Sequence, residues 1–315
     1  MSRARTRVAV MGAGAVGGYY GGMLALAGVP VTLVGRAHHV EAIAKDGLAI
    51  VRADRTDRIK VAATTEASGV GEADVVLVCV KSSDTVSAAR AMKPHLCADA
   101  AVISLQNGVA NADAMLDVLD QVVLGAAVWV GAYMEAPGVV RHTGRGDLVL
   151  GVTRKGAARP HARERAATVA AMFEAASVAC PVVDDVERVL WHKLLINCAF
   201  NAVSALGRAR YGRMARDPAT RGVMEAAVRE GLAVARATGI ALDEGEVLAA
   251  VWRTAEAMTG QYSSTAQDIL RGKLTEIDML NGHVAALGAK LGVATPVNRT
   301  LQALVGLREA GDDLA

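Results

Sequence analysis

Residues 7–18 read RVAVMGAGAVGG and indicate the fold of the first half of this chain. Arg7–Met11 is an apolar run of strand length, and a GxGxxG motif follows it and opens a predicted helix over Val16–Ala27. The first glycine of such a loop permits a tight turn, the second lets the backbone approach a pyrophosphate, and the third lets helix and strand pack closely. The helix N-terminus directs its N–H groups at the phosphates. We therefore predict a dinucleotide-binding loop formed by Gly12, Ala13, Gly14, Ala15, Val16 and Gly17.

Outward from this loop, apolar runs alternate with predicted helices. The runs are Val31–Val34, Asp74–Val80, Ala101–Leu105 and Val122–Val130. Their continuous hydrophobicity is typical of parallel strands that are covered on both faces. Ala136–Gly151 predicts an antiparallel hairpin that turns at Gly144–Gly146, and beyond Asp185 the pattern is helical only. The expected fold is α/β, with a Rossmann-type domain over residues 1–185 and an all-helical domain over residues 186–315.

The end of the second predicted strand indicates the type of cofactor. Sites for NAD usually place an acidic residue there to bind the ribose 2′-hydroxyl. In this sequence Val34 is followed by Gly35 and Arg36. A guanidinium suits a 2′-phosphate because it offers a charge-assisted, bidentate contact. We therefore expect NADPH as the cofactor, while an ordinary surface arginine is the alternative for Arg36.

Two other strand ends carry polar side chains. Lys81 follows the run that ends at Val80, and Asn107-Gly108 follows the run that ends at Leu105. Ligands of open α/β sheets bind outside the carboxyl ends of the strands. The glycine loop, Arg36, Lys81 and Asn107 are therefore expected to line one crevice.

The helical half contains an apolar segment with a polar stripe. Leu190–Gly207 reads LWHKLLINCAFNAVSALG, and Lys193, Asn197 and Asn201 recur every four residues. Four residues advance about 40° around a helix, so the three side chains project within roughly 80° of one another. Buried polar groups need partners or a ligand. The stripe thus predicts a substrate site.

Composition limits the remaining functions. Net charge is +2, from 34 basic and 32 acidic residues, which gives no electrostatic reason to expect a nucleic-acid or membrane partner. The four cysteines are far apart in the sequence and lie in or beside apolar runs, as expected of reduced cytoplasmic thiols. We find no metal-ligand spacing and no uninterrupted transmembrane segment, so neither a metal nor a membrane span is expected.

With these motifs in this order, the sequence resembles the ketopantoate (2-dehydropantoate) 2-reductase family. The segments that carry the resemblance are GAGAVGG at 12–18, VCVKS at 78–82, LQNGV at 105–109, PGVVRHTG at 137–144, WHKLLINCAFNAVSAL at 191–206, SSTAQDILRGKLTEIDMLNG at 263–282 and TPVN at 295–298. The resemblance implies NADPH-dependent reduction of 2-ketopantoate to pantoate in pantothenate biosynthesis, with the active site in a cleft. It implies catalytic roles for Lys193 and Glu276, and substrate binding by Asn107, Asn197, Asn201 and Ser264. It also implies that Gly12, Gly14, Gly17, Arg36 and Lys81 bind the cofactor.

The chemistry of the residues agrees with these roles. Hydride attack on a ketone develops negative charge on oxygen, which the Lys193 ammonium can stabilise while it donates a proton. Structural alternatives are a first-turn position for Glu276 and an N-cap role for Ser264. Two other functions also stay open: reduction of another branched 2-keto acid, because Tyr211 replaces an asparagine of some members, and NADPH sensing without catalysis. A homodimer is left open as well.

Overall fold

The computed structural model describes residues 6–311. Contacts within the chain divide it into two compact units. The first unit comprises the residues up to Gln106 and Ala110–Glu187, and the second comprises Asn107–Val109 and the residues from Arg188 onward.

The described part of the first unit is a ten-stranded sheet with helices. Its strands are β1 Val8–Met11, β2 Val31–Val34, β3 Leu48–Val51, β4 Thr56–Ile59, β5 Ala62–Thr64, β6 Val75–Val78, β7 Ala101–Ser104, β8 Val122–Ala136, β9 Val139–Gly151 and β10 Val182–Val183. Its α-helices are α1 Ala15–Leu26, α2 Ala37–Asp46, α3 Thr85–Met92, α4 Asn111–Leu116 and α5 Ala162–Ala175.

The strand order confirms the predicted α/β fold class. The order is β4-β3-β9-β8-β7-β6-β1-β2-β5, and β10 pairs with β9. All neighbours from β5 to β8 are parallel. Without β3 and β4, these strands follow the order 3-2-1-4-5-6, which is that of the doubly wound dinucleotide-binding fold.

The hairpin was predicted with the wrong turn. The chain reverses at Pro137–Gly138, between β8 and β9, where Gly138 has φ +70°. Gly144 and Gly146 lie inside β9, where the register with β8 shifts. A Cβ on Gly146 would lie 2.1 Å from the hydroxyl of Tyr19. These glycines therefore mark bulges rather than a turn, which is the usual meaning of glycine inside a strand.

Three strands between α2 and β6 were not predicted. They are the short strands β3, β4 and β5, and β4 has the sequence TDRI with exposed polar side chains. Short strands carry little periodic signal, and β4 and β5 also lack the continuous apolar run that marked β1, β2, β6 and β7. They form because β3 pairs with β9 and β5 pairs with β2, which are contacts distant in sequence.

Both faces of the sheet are covered, as continuous hydrophobicity predicted. Val10 and Leu77 belong to one buried cluster, which also contains residues of α1 and α5. Ala9 and Val76, their neighbours along the strands, belong to a second cluster on the opposite face with residues of α3 and α4. Burying a Val or Leu side chain stabilises the fold by about 1.5–3 kcal/mol. Aliphatic packing thus holds the sheet with few aromatic residues.

The described part of the second unit is helical. The helices are α6 Val186–Gly207, whose residues from Arg188 onward belong to this unit, α7 Tyr211–Arg216, α8 Pro218–Ala237, α9 Glu244–Ala257, α10 Ser264–Leu270, α11 Asn281–Leu291 and α12 Pro296–Glu309. A 3₁₀ helix covers Ile277–Met279. Residues of α6 enter three buried clusters, through Leu195 and Phe200, through Trp191 and Leu194, and through Ala202 and Ala205.

Helix α6 is also long and apolar enough to cross a membrane. Its most apolar 18-residue window has a mean hydropathy of 1.3, and 61% of that window is buried inside the structure. Core helices that are mostly buried meet the same criteria, so this is weak evidence for a span. The absence of a transmembrane helix stays a prediction.

Candidate active site

The side of α6 that remains outside the three buried clusters carries the polar stripe. Lys193 and Asn197 are half-buried, and Asn201 is only 2% exposed. The regular helix through Val186–Gly207 places them at the predicted four-residue spacing. The second unit therefore presents an ammonium and two amides along one line.

The Asn107 amide connects two of the predicted site residues. Nζ of Lys193 donates a hydrogen bond of 2.9 Å to Oδ1 of Asn107. Nδ2 of Asn107 in turn donates to Oε2 of Glu276 at 3.1 Å. This pattern orients the amide, because its oxygen must face the ammonium and its nitrogen must face the carboxylate. Three residues that are far apart in sequence thus form one hydrogen-bonded chain.

The segment that carries Asn107 belongs to the second unit by its contacts. Asn107–Val109 groups with the helices, although β7 and α4 on either side lie in the first unit. Val109 packs against the buried cluster that contains Trp191 and Leu194 of α6. Gly108 has φ +98°, a conformation that favours glycine. This explains the glycine after Asn107.

The two other amides of the stripe are available to a ligand. Neither Asn197 nor Asn201 makes a side-chain hydrogen bond to any residue in the described range 6–311. Most buried polar side chains in proteins have such a partner. An amide 2% exposed without one, as at Asn201, fits a position that binds a polar small molecule.

Ser264 is not an N-cap. The N-cap of α10 is Ser263, whose Oγ accepts from the backbone N–H of Ala266 at 3.1 Å and donates to the carbonyl of Asn201 at 3.2 Å. Ser264 is exposed at the first helical position. Ser263 was not among the predicted site residues, although serine at this place is the usual N-cap signal. Ser263 ties the start of α10 to the stripe.

Glu276 does not have the first-turn position that was its alternative to a catalytic role. It precedes the 3₁₀ helix Ile277–Met279 and lies outside the first turn of an α-helix. Its carboxylate accepts from Asn107 instead of capping a helix. Tyr211, which replaces an asparagine of some family members, packs in the core. Its ring is stacked on Phe200 at a centroid distance of 4.1 Å.

In the first unit, the glycines of the loop differ in how much space a Cβ atom would have. A Cβ on Gly12 would lie 2.7 Å from backbone atoms of Cys79 and Val80, and a Cβ on Gly17 would lie 2.1 Å from the carbonyl oxygen of Gly12. A Cβ on Gly14 would meet nothing within 4 Å. Gly14 is the N-cap of α1 and provides no capping side chain. Two glycines are therefore needed for packing, and Gly14 leaves space beside the helix N-terminus.

The ends of the parallel strands are aligned next to this loop. Met11 pairs with Val34 and Val78, and Val78 pairs with Ser104. The loop, Arg36 and Lys81 therefore leave the sheet at the same edge. The Arg36 side chain is exposed at the N-cap of α2. Asn107, which was expected in the same crevice, groups with the second unit.

The described residues contain no group of three or more His, Cys, Asp or Glu side chains that could hold a metal ion. In the second unit, the polar groups described above are a lysine, a glutamate, three amides and the hydroxyls of Ser263 and Ser264, while the glycine loop belongs to the first unit.

Comparisons with known proteins agree with the resemblance. A family model described as ketopantoate reductase PanE/ApbA matches residues 8–155, and one described as ketopantoate reductase PanE/ApbA C terminal matches residues 185–309. A 2-dehydropantoate 2-reductase of Halobacterium salinarum is 38% identical over 307 residues, which cover 96% of this chain and 99% of the relative.

Solved structures show the same fold along almost the whole chain. A PanE/ApbA family ketopantoate reductase from Ralstonia eutropha is 48% identical, with a TM-score of 0.89 over 97% of this chain and 99% of the other. D-mandelate dehydrogenase with NADH and anilino(oxo)acetate has a TM-score of 0.90 over 97% and 99%, at 24% identity, and is similar in fold. The predicted oxidoreductase class is confirmed, and the chain belongs to the ketopantoate reductase family.

Proposed function

We propose that this protein reduces 2-dehydropantoate to pantoate with NADPH, as a step of pantothenate biosynthesis. The observation that carries the proposal is the Lys193–Asn107–Glu276 chain, whose lysine lies on the same helix stripe as the Asn197 and Asn201 amides. The relatives named 2-dehydropantoate 2-reductase support this choice of substrate.

The role of Lys193 follows from the charge that develops in the reaction. NADPH, when bound, supplies a hydride to the carbonyl carbon of the keto acid. The carbonyl oxygen then becomes an alkoxide, and the Lys193 ammonium stabilises it and transfers a proton to it. Solvent returns that proton to the lysine. Asn107 holds Nζ in place before the reaction, so less reorganisation is needed at the moment of hydride transfer.

Glu276 acts on the same amide from the other side. Its carboxylate accepts from Nδ2 of Asn107 and so keeps the amide oxygen turned toward Lys193. Glu276 can also accept a hydrogen bond from a hydroxyl group of the substrate. In this proposal the glutamate both orients the site and contacts the substrate.

Neutral groups hold the rest of the substrate. The amides of Asn197 and Asn201 and the hydroxyl of Ser264 can donate to a carboxylate or accept from a hydroxyl without adding net charge. The hydrogen-bond capacity of Asn197 and Asn201, which the described residues leave unused, supports their assignment to substrate binding.

The residues of the first unit fit a nicotinamide dinucleotide phosphate. The space at Gly14 beside the N-terminus of α1 suits a pyrophosphate. Ala13, Ala15 and Val16 complete that loop. The exposed Arg36 guanidinium, with no acidic residue after β2, suits the 2′-phosphate, and Lys81 at the same sheet edge adds positive charge.

A second candidate is the reduction of another branched 2-keto acid on the same scaffold. Tyr211 replaces an asparagine of some family members, and its ring packs against Phe200, the residue before Asn201. This difference beside the substrate stripe is the reason to retain the second candidate. We also propose a cytoplasmic location, which the four free cysteines support. We propose separately that the enzyme is a homodimer, and gel filtration tests this.

The experiment is NADPH oxidation with a panel of 2-keto acids, followed at the nicotinamide absorbance. We expect the highest kcat/KM with 2-dehydropantoate. A higher value with another branched keto acid selects the second candidate. NADPH binding without turnover of any keto acid would contradict both and indicate a sensor.

A further inference from the structure

A network of buried polar side chains lies at the carboxyl ends of β6 and β7. Its members are Ser82, Thr85, Ser104, Gln106 and Asn111, which are between 2% and 7% exposed. Nothing in the reaction proposed above uses them. Polar groups are costly to bury, so five together call for a physical reason.

Gln106 is the centre of this network. Its Nε2 donates to the carbonyl of Val80 at 3.1 Å and to Oγ1 of Thr85 at 2.8 Å. Its Oε1 accepts from the hydroxyl of Ser104 at 3.1 Å. One side chain therefore ties the end of β7 to the chain that leaves β6.

Asn111 anchors the other end of the same loop. Its Oδ1 lies 3.0 Å from the Thr85 hydroxyl, and its Nδ2 donates to Oγ of Ser82 at 3.3 Å. Gln106 and Asn111 thus lie on either side of residues 107–110, and both are hydrogen-bonded to the segment after β6. The loop that contains Asn107 is held at each end by buried side chains.

We propose that Gln106 is a positioning residue for Asn107. This inference rests on the proposed function, in which the Asn107 amide orients Lys193. The backbone of Asn107 starts from Gln106, so any movement of Gln106 displaces the amide. Active-site groups must be held within about 0.5 Å of their productive geometry. Gln106 itself does not contact the substrate and acts through its neighbour.

A double-mutant cycle tests the proposal. Gln106→Leu removes all four side-chain hydrogen bonds of Gln106, the fourth being a 3.5 Å bond from Nε2 to the carbonyl of Lys81, at similar side-chain size. We expect kcat/KM for the keto acid to fall about 10- to 100-fold. In an Asn107→Ala background the same substitution is expected to change kcat/KM by no more than about twofold, because no amide remains to be positioned. Multiplicative losses in the double variant would overturn the inference.

A matched control separates positioning from general damage. Gln121 lies directly before β8, at the opposite edge of the sheet, and its Nε2 also donates to a backbone carbonyl, that of Cys97 at 3.3 Å. Gln121→Leu is expected to leave kcat/KM within about twofold of the wild type, even if it lowers the midpoint of unfolding. Equal catalytic losses in Gln106→Leu and Gln121→Leu would also overturn the inference.

A milder variant covers the case in which Gln106→Leu does not fold. Ser104→Ala removes only the hydrogen bond to Oε1 of Gln106. It should lower kcat/KM by about 2- to 10-fold with Asn107 present and leave it unchanged with Asn107→Ala. An equal loss in both backgrounds contradicts positioning. Wild-type activity of Asn107→Ala alone would instead refute the proposed function, so the two failures are distinguishable.

Discussion

Nζ of Lys193 donates a 2.9 Å hydrogen bond to Oδ1 of Asn107, a residue 86 positions earlier in the chain. The amide that accepts this bond donates to Glu276 through its nitrogen. An amide between an ammonium and a carboxylate has one favourable orientation, because only that orientation satisfies both neighbours. Asn107 therefore fixes the direction of the lysine that we propose as the general acid.

Replacing Lys193 tests this role directly. Lys193→Ala should fold, bind NADPH and lose about 10²- to 10⁴-fold in kcat, which is the usual contribution of general acid catalysis. KM should change less, because the keto acid keeps its amide contacts. Steady-state kinetics and NADPH fluorescence titration measure both effects. Lys290→Ala, at an exposed lysine of α11, is the control and should behave like the wild type. A folded Lys193→Ala enzyme with normal turnover would remove the lysine from the mechanism.

The amides of α6 should affect catalysis without affecting stability. Asn201→Ala breaks no side-chain hydrogen bond to the described residues, so its free energy of unfolding should stay within about 1 kcal/mol of the wild type, while KM for the keto acid rises. Asn197→Ala should behave in the same way. NADPH affinity should hardly change. Urea unfolding and steady-state kinetics give these values.

Asn298→Ala provides the opposite case. Asn298 is fully buried, donates to Ala227 and Glu230, and accepts from Asn281. Its loss should lower the free energy of unfolding by about 2–4 kcal/mol, since buried partners stay unpaired. If Asn201→Ala were equally destabilising, the Asn201 amide would have a structural role instead.

Arg36 should determine the choice between the two nicotinamide cofactors. We expect the wild type to prefer NADPH, and Arg36→Ala to lower that preference about 10- to 100-fold, because a hydrogen bond to a charged group contributes ~1.5–3 kcal/mol. The ratio of kcat/KM for NADPH and NADH measures it. Arg58→Ala, at an exposed arginine of β4, is the control. A wild-type preference for NADH would contradict the assignment of the 2′-phosphate to Arg36.

Two glycines of the loop should respond to alanine in different ways. Gly14 has φ −83° and ψ −164°, which alanine can adopt, and open space at its Cβ position. Gly14→Ala should therefore be as stable as the wild type or ~0.4–1 kcal/mol more stable, yet bind NADPH at least about tenfold more weakly. Gly17→Ala should lose about 1–3 kcal/mol, because its Cβ would collide with the carbonyl of Gly12. Thermal unfolding and fluorescence titration separate the two effects. Unchanged NADPH affinity in Gly14→Ala would place the pyrophosphate elsewhere.

His283 should make the protein less stable in mild acid. Burial lowers the pKa of His283 below its ordinary value of 6.5, and its buried Nε2 has no hydrogen-bond partner among residues 6–311. Below pH 6.5 the unfolded chain binds a proton that the folded chain resists, so the free energy of unfolding falls as the pH drops toward the folded-state pKa. Above that range His283 is neutral in both states and contributes no pH dependence.

Urea unfolding at about pH 7.5 and about pH 5.5 measures this loss. His283→Phe should lose less unfolding free energy between these two pH values than the wild type. His95→Phe, at an exposed histidine, should lose more than His283→Phe. Some loss remains in His283→Phe because desolvation also lowers the pKa of His192. An identical pH dependence in wild type and His283→Phe would show that His283 is not responsible.

Sequence patterns predicted a structural feature correctly where the spacing of one residue type allows only one local structure. The glycine loop after β1, the apolar parallel strands and the four-residue spacing on α6 all follow from neighbours in sequence, and the structure has each of them at the predicted place. The hairpin turn was predicted at the wrong glycines, because Gly138, Gly144 and Gly146 look alike until pairing with β8 and packing against Tyr19 distinguish a turn from a bulge.

Helix and strand periodicity and glycine sterics act over a few residues, so the α/β class, the glycine loop and the polar stripe follow from the sequence. The bonds of Asn107 to Lys193 and Glu276, of Ser263 to the carbonyl of Asn201, and of Gln106 to the segment after β6 are chosen only when the chain folds. These choices depend on hydrogen bonds between residues separated by tens of positions. Such bonds form when folding brings the partners together and excludes water from them.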